Sequence, residues 1–228
     1  MKQIPLDFTY RTALGREDFL VSDPNENAVA WIDKWPDWPG SFLLVTGPEG
    51  CGKTHLSQVW ANKCGAASID AEELTTLDIN ALGELSMRPL VLENIEPGLN
   101  EQKLFHLYNM VRENNSFLMM TSCLPVAGWD MELLDLKSRM GAVQIAAIEE
   151  PDDTLFAAIL IKLFSDRQLQ VTPEIIQYLV TRLERSFKSA VEIVSDLDGL
   201  SLAEKRKITI PLVRTLFENK EKQHGLWD

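Results

Sequence analysis

The sequence predicts an α/β fold in which five parallel strands form one sheet, followed by a smaller, all-helical C-terminal lid. Three observations lead to this fold class. Short apolar runs alternate with helix-compatible segments between residues 41 and 145, which is the pattern of a doubly wound parallel sheet. A glycine-rich loop at residues 47–54 joins the first predicted strand to the next helix. After residue 151 the strand pattern stops, and residues 152–217 show helical spacing only.

The elements before the lid are assigned from apolar runs and from turn residues. Residues 1–22 are predicted to be an extended lead-in, and residues 28–35 a helix that Pro36 and Pro39 end. Each later strand is a short apolar run, which is typical of strands buried on both faces of a sheet. The predicted strands are 41–46, 66–70, 89–94, 116–122 and 143–145, and the predicted helices include 55–63, 101–115 and 133–140.

The lid is predicted from helical spacing and from helix-start residues. Its first helix carries four apolar residues on one face, and the helices that follow begin near Pro173 and Ser186. These patterns divide the chain into an N-terminal segment (1–10), an α/β domain (11–150) and a helical lid (151–228). The four apolar residues are Leu155, Ile159, Leu160 and Leu163.

The loop at residues 47–54 reads G-x-x-x-x-G-K-T, the sequence of a phosphate-binding loop. Glycines let backbone N–H groups line a concave nest, and the next helix adds the positive end of its dipole. Lys53 can reach the β- and γ-phosphates, and the Thr54 hydroxyl can hold Mg²⁺. The flanking strand and helix favour this interpretation over a chance turn, so ADP or ATP with Mg²⁺ is the predicted cofactor. The predicted contacts are Gly47, Pro48, Glu49, Gly50, Cys51, Gly52, Lys53, Thr54 and His55.

An acidic residue and an amide end the predicted strand at 89–94. Glu93 is expected to position Mg²⁺, directly or through water. Asn94 cannot accept a proton as a general base, although its amide can hold a water molecule. Glu96 is an alternative acid, but we expect it beyond the strand end, and a core strand with a polar end is the alternative interpretation. The sequence therefore predicts nucleotide binding with weak or no ATP hydrolysis by the chain itself.

The composition narrows the classes of function. The 228 residues carry a net charge of −12, which favours protein partners over autonomous binding to duplex DNA. The nearest basic cluster, residues 205–207, is interpreted as a solvated turn. Neither a membrane span nor a signal peptide is predicted, because the chain lacks a sufficiently long apolar run. The three scattered cysteines indicate the reducing cytoplasm rather than a disulfide framework or a zinc site.

Strand, phosphate loop, acidic strand end and helical lid together resemble the AAA+ ATPases, and several segments resemble the bacterial initiator DnaA. Asp18-Phe19-Leu20-Val21 and the residues after it look like the entry segment of DnaA, which implies that Phe19 and Val21 pack on adenine. Residues 103–109 resemble the helix after the acidic strand, and residues 121–125 resemble the sensor 1 stretch. Residues 136–141 resemble the arginine-finger segment. The similarity extends over about residues 10–220, nearly the whole chain.

Two further features make the chain similar to the Hda-type regulatory inactivators of DnaA, a DnaA-homologous family. No helix-turn-helix domain is expected after the lid, where the initiator carries one, because the sequence runs only to Asp228. Gln3-Ile4-Pro5-Leu6-Asp7-Phe8 resembles the Q-L-x-L-x-F peptide that docks on the DNA sliding clamp. Such an extended peptide can insert apolar side chains into a pocket, although a self-packed or disordered tail is the alternative. The predicted clamp-binding residues are Gln3, Ile4, Leu6 and Phe8.

The resemblance implies that the ATP hydrolysis through which the chain acts takes place in a partner protein. A regulator bound to the clamp, the β subunit of DNA polymerase, would supply Arg139 as an arginine finger to ATP-bound DnaA, and re-initiation would be prevented. Arg139, Glu93 and Asn94 are then the catalytic candidates, and DNA is reached only through the clamp. A surface salt bridge is the alternative role for Arg139. A homo-oligomer in which Arg139 faces a second copy is also consistent with the resemblance.

The chain departs from the family pattern at three places. Glu93 and Asn94 replace the usual aspartate-rich motif, and Cys123 stands where initiators tend to carry a polar or acidic sensor 1 residue. Lys188, with Arg185 as a neighbouring alternative, best matches the sensor 2 arginine, but lysine offers a point charge without a bidentate fork. These changes favour a retained nucleotide over repeated turnover.

Three other functions fit parts of the sequence. One is an independent ATPase that loads or remodels DNA complexes, which Asn94 and the acidic charge disfavour. Another is an adaptor in which the nucleotide only stabilises the fold. The third is a small-molecule kinase, which the helical lid and the clamp-like peptide disfavour.

Overall fold

The computed structural model describes residues 19–224, with side chains as far as residue 219. The chain divides into two compact units between Glu150 and Pro151. Within the described residues, all the strands belong to the first unit, and the second unit is built from helices alone.

Five parallel strands form one sheet in the first unit. In chain order they are β1 (Phe42–Thr46), β2 (Ala67–Asp70), β3 (Leu90–Glu93), β4 (Leu118–Ser122) and β5 (Gln144–Ala147). Their order across the sheet is β2-β3-β4-β1-β5, so β4 lies between β1 and β3. Every residue of these three inner strands is buried, as expected for strands covered on both faces. The five-stranded parallel sheet predicted from the apolar runs is confirmed.

Helices cover both faces of this sheet. They are α1 (Asp23–Lys34), α2 (Lys53–Cys64), α3 (Ala71–Thr76), α4 (Ile79–Ser86), α5 (Glu101–Glu113) and α6 (Leu134–Gly141). Alternate residues of a strand point to opposite faces. Accordingly Phe42 and Leu44 of β1 join the core beneath α3 to α6, whereas Leu43 and Val45 join the core beneath α1 and α2. The doubly wound arrangement is therefore present.

Helix α1 begins earlier than predicted, at Asp23 rather than at residue 28. The Ser22 N–H donates to Asn25 Oδ1 at 3.0 Å, and the Asn25 N–H donates back to the Ser22 carbonyl at 2.9 Å. Pro24 suits this first turn because its missing N–H is not needed there. The prediction of the start was wrong because proline and asparagine favour helix N-termini as well as turns.

Four helices are described in the second unit, and they are α7 (Asp153–Asp166), α8 (Pro173–Val180), α9 (Phe187–Glu204) and α10 (Ile210–His224). All four contribute to a hydrophobic core whose members come from this unit alone. The predicted face of α7 is confirmed, because Leu155, Leu160 and Leu163 are buried and Ile159 is half-buried. Among the residues described, no helix is both long and apolar enough to cross a membrane.

Candidate functional site

The phosphate-loop residues connect β1 to α2 in a backbone path that needs glycine. A Cβ at Gly47 would lie 2.3 Å from the Ile148 carbonyl oxygen, so no larger residue fits without a shift. Gly52 has φ +106°, a conformation that side-chain-bearing residues rarely adopt. The Gly47 N–H donates to the Ser122 carbonyl at 3.2 Å, which ties the loop to the carboxyl end of β4. Helix α2 begins directly after Gly52, so its N-terminus faces the loop.

Lys53 is held inside the loop that it follows. Its side chain is 7% exposed, and Nζ donates to the Gly47 carbonyl at 2.7 Å and to the Pro48 carbonyl at 2.8 Å. Nζ also lies 3.4 Å from the Sγ of Cys123, the residue that follows β4. A buried ammonium needs such partners, and phosphate oxygens can replace the carbonyls with stronger charge-assisted bonds. The loop glycines, Lys53 and the start of α2 therefore fit a nucleotide phosphate group.

Glu93 is the centre of a buried hydrogen-bond network behind the loop. Its side chain is 8% exposed, the Ser57 hydroxyl donates to its Oε1, and the Thr121 hydroxyl donates to its Oε2 at 2.7 Å. Each oxygen keeps a second acceptor site, so Glu93 can position Mg²⁺ directly or through a bound water. Thr54 is exposed beside Lys53 and can supply its hydroxyl directly. Across the described residues no group of three or more His, Cys, Asp or Glu is arranged to hold a metal.

Asn94 follows Glu93 and is fixed by two neighbouring strands. Its N–H donates to the Thr121 Oγ1 at 2.9 Å, and its Nδ2 donates to the Asp70 Oδ2 at 2.7 Å. Glu96 is exposed and lies beyond the end of β3, as predicted. Ser57, Thr121 and Asp70 were not among the predicted site residues. Ser57 could have been found from its place one turn after Lys53, and Asp70 from its place at the end of a strand. Thr121 begins the stretch that resembles sensor 1, but it was not assigned a role.

The two residues predicted to pack on adenine differ in environment. Phe19 is buried, its ring centroid lies 5.1 Å from that of His55, and its edge faces Gly52 of the loop. Val21 is 46% exposed. Phe19 is thus next to the phosphate loop, and the packing of Phe19 and Val21 on adenine stays a prediction. The thiol of Cys51, on the same loop, has a raised pKa, chiefly because burial disfavours its charged form.

Arg139 lies on α6 and is held by three side chains of α5. Its Nη1 donates to the Asn109 Oδ1, and its guanidinium carbon lies 4.6 Å from the Phe105 ring centroid and 5.5 Å from that of Tyr108. Burial raises the pKa of Tyr108, and the Arg139 charge partly offsets this. In the part of the chain that is described, no carboxylate forms an ion pair with Arg139. The guanidinium is therefore oriented by neutral groups in the described part of the chain.

Two sets of predicted residues lie outside the described part of the unit that carries the phosphate loop. Lys188 is exposed near the start of α9 in the helical unit, and Arg185 pairs with Asp153 of the same unit. Their sensor 2 roles stay predictions. The predicted clamp contacts fall outside the described residues, and their role is likewise a prediction: Gln3, Ile4, Leu6 and Phe8.

Comparison of the sequence with known proteins gives a family match for the helical unit and relatives that include a bacterial protein of similar length. Residues 153–217, most of the helical unit, match the family model described as Hda, lid domain. The chain is 25% identical over 232 residues to an uncharacterized protein of Haemophilus influenzae. That match covers 94% of this chain and 98% of the relative.

Solved structures with a similar fold include two DnaA proteins and a DNA motor. Domain III of the Thermotoga maritima replication initiation protein DnaA has a TM-score of 0.79 at 18% identity, covering 90% of this chain and 96% of that one. AMPPCP-bound DnaA from Aquifex aeolicus has a TM-score of 0.69 at 22% identity, with coverages of 91% and 69%. The Thermotoga maritima RuvB Holliday junction branch migration motor has a TM-score of 0.65 at 16% identity, with coverages of 78% and 61%. At these identities the likeness establishes the AAA+ fold.

Proposed function

We propose a function for this chain from the premise that it is a DnaA-homologous AAA+ protein of the Hda type. It binds ADP or ATP with Mg²⁺ at the phosphate loop and promotes ATP hydrolysis by the initiator DnaA, which prevents re-initiation of replication. The observation that carries this proposal is Arg139, an oriented guanidinium with no carboxylate partner in the described chain. The Hda-type lid supports the same assignment.

The surroundings of Arg139 suit a role in a partner's active site. An arginine finger neutralises charge that develops on the transferring phosphoryl group, an effect of about 10³–10⁵-fold on the hydrolysis rate. A carboxylate partner would compete with the phosphate for the guanidinium. Asn109 and the two aromatic rings instead orient the guanidinium without adding a negative charge beside it. The charge is therefore available to an incoming phosphate.

The chain's own nucleotide is proposed to set conformation. Lys53, Thr54 and the Glu93 network suit binding, and Asn94 cannot act as a general base. DnaA of the same fold binds the ATP analogue AMPPCP, which supports a nucleotide at this loop. The three cysteines are free thiols, in keeping with the cytoplasmic location proposed for a replication regulator.

An assay of the partner's ATPase tests the role of Arg139. DnaA loaded with ATP is mixed with clamp on DNA and with this protein in its ADP or ATP form. We expect Arg139→Ala to lower the stimulated hydrolysis rate by about 10³-fold while nucleotide and clamp binding persist. Arg88→Ala, which removes an exposed arginine of the same unit, is the matched control. Stimulation by Arg139→Ala equal to that of the parent would remove Arg139 from the mechanism.

Clamp binding is proposed from the N-terminal peptide alone. Deletion of residues 1–8 is expected to abolish binding to the immobilised clamp and to leave nucleotide affinity unchanged, because the phosphate loop lies elsewhere in the sequence. Leu6→Ala combined with Phe8→Ala should have the same effect. Surface plasmon resonance with Pro5→Ala as the control measures this, and clamp binding that survived the deletion would contradict the assignment.

A further inference from the structure

Asp70 and Asn94 form a carboxylate–amide pair at the carboxyl edge of the sheet. Asp70 ends β2 and is paired in register with Glu93 of the adjacent strand β3, and Asn94 is the next residue. The Asn94 Nδ2 lies 2.7 Å from the Asp70 Oδ2. The acidic strand β3 therefore ends in an amide that is bonded to a carboxylate on the neighbouring strand.

The direction of the Asn94 amide follows from this contact. An ionised carboxylate only accepts hydrogen bonds, so the nitrogen of Asn94 must face Asp70 and the oxygen must face away. The Asp70 Oδ1 accepts the Glu72 N–H at 3.0 Å, which fixes the carboxylate at the start of α3. The Asn94 backbone has φ 58°, a left-handed conformation that asparagine adopts more readily than most residues. Both partners of the pair are thus held from more than one side.

The pair is linked to the nucleotide site and open to water. Thr121 donates to Glu93 and accepts the Asn94 N–H, so one hydroxyl connects the pair to the network behind the phosphate loop. Asp70 and Asn94 also line a cavity of about 510 Å³ together with Glu96. A water molecule can therefore reach the oxygen of Asn94.

We propose that this pair keeps ATP hydrolysis slow at the chain's own site because its amide lies on the β3 side and its carboxylate on β2, with Asp70 as the positioning residue for the Asn94 amide. In hydrolysis the water oxygen bonds to the γ-phosphorus, the bond to the β–γ bridging oxygen breaks, and a base takes the proton of the water. The amide oxygen of Asn94 holds water but does not take that proton, and the carboxylate of Asp70 is directed at the amide nitrogen from the neighbouring strand. This deepens the proposed function, because it rests on nucleotide binding at residues 47–54.

Exchanging the two residues tests the proposal. The double variant Asp70→Asn, Asn94→Asp keeps a carboxylate–amide bond but moves the carboxylate to β3. Its intrinsic ATP hydrolysis is measured with radiolabelled ATP and no partner. We expect a rate at least about tenfold above that of the parent, since a well-placed general base usually contributes about 10²–10⁴-fold. Adding Lys53→Ala should abolish the gain, which assigns it to this site. The rate of the exchanged variant should fall at acid pH, below about 4, where an aspartate is protonated.

Single variants separate positioning from a purely structural role. Asn94→Asp alone places two carboxylates side by side, and their repulsion disfavours the arrangement. Asp70→Asn alone leaves no base at either position. Neither single variant should therefore reach the rate of the exchanged variant. A second double variant, Asp70→Ser with Asn94→Glu, retains an N-cap for α3 while moving a carboxylate to β3, and it should also gain activity.

Two outcomes overturn the proposal. One is that both double variants bind a fluorescent ATP analogue with parental affinity yet hydrolyse ATP at the parental rate. The other is that Asp70→Asn alone matches the exchanged variant. Failure of the parent to bind nucleotide would instead overturn the proposed function together with this inference, whereas loss of partner stimulation alone leaves the inference standing.

Discussion

At the scale of single residues, Arg139 and Asn109 control how a positive charge is presented. A hydrogen bond from a guanidinium to a neutral amide orients the arginine at a small energetic cost of release. Stacking on the Phe105 ring adds a second, non-neutralising restraint. The same arginine beside a carboxylate would be bound more strongly and would be less available to a phosphate.

Replacing Asn109 by Asp tests this reasoning. The new carboxylate should pair with Arg139, raise the melting temperature and reduce stimulation of the partner's ATPase. If the ion pair stabilises the state in which Arg139 is bonded to residue 109 by about 1.4 kcal/mol, the stimulated hydrolysis rate falls about tenfold.

Asn100→Asp is the matched control, because it adds an acid at the exposed N-cap of the same helix. Thermal unfolding and the partner assay measure the two effects. A rate for Asn109→Asp equal to that of Asn100→Asp would contradict the role assigned to the neutral amide.

At the scale of elements, the strands connect chemistry that is distant in sequence. Thr121 of β4 bonds the side chain of Glu93 and the backbone of Asn94, so it holds the end of β3 in place. Because Thr121 and Glu93 are fully or nearly buried, neither group can exchange these bonds for water.

Thr121→Val should therefore destabilise the α/β unit by about 1–3 kcal/mol, the usual cost of leaving buried polar groups unsatisfied. The change keeps the shape and β-branching of the side chain, so packing is nearly preserved. Thr76→Val is the control, since Thr76 is exposed and bonds only within its own helix turn. Urea unfolding followed by tryptophan fluorescence measures both, and equal midpoints would show that the Glu93 network adds no stability.

Much of the fold was predictable because apolar runs bounded by polar residues have few alternatives in an α/β chain. The start of α1 was missed because Pro24 and Asn25 suit two local structures. At the site, the spacing of the phosphate loop determines its own geometry, so residues 47–54 could be assigned from sequence. The contacts of Asp70 and Thr121 could not, because they depend on which strands are neighbours in the sheet, and strand order is a property of the whole unit.

At the scale of the molecule, each unit has its own hydrophobic core. Among the described residues, the core of the helical unit draws on α7 to α10 and on Ile208 between the last two helices, and Phe156 and Phe164 are among its most buried members. A unit of this size seldom has more than about 3–5 kcal/mol of stability. Because its core is confined to one unit, we expect the helical unit to fold on its own. Because its stability is small, we expect a single core substitution to unfold it.

A fragment of residues 150–228 should fold into a helical, cooperatively melting unit, measured by far-ultraviolet circular dichroism. Phe156→Ala should unfold this fragment, because removing a buried phenylalanine costs about 3–5 kcal/mol, comparable to the whole stability of the unit. In the full chain the same substitution should leave the phosphate loop folded, so a fluorescent ADP analogue should still bind. Ile161→Ala, at an exposed position of α7, is the control and should leave the fragment folded. A fragment without a cooperative transition would mean that the helical unit requires the rest of the chain, despite a core built from its own residues.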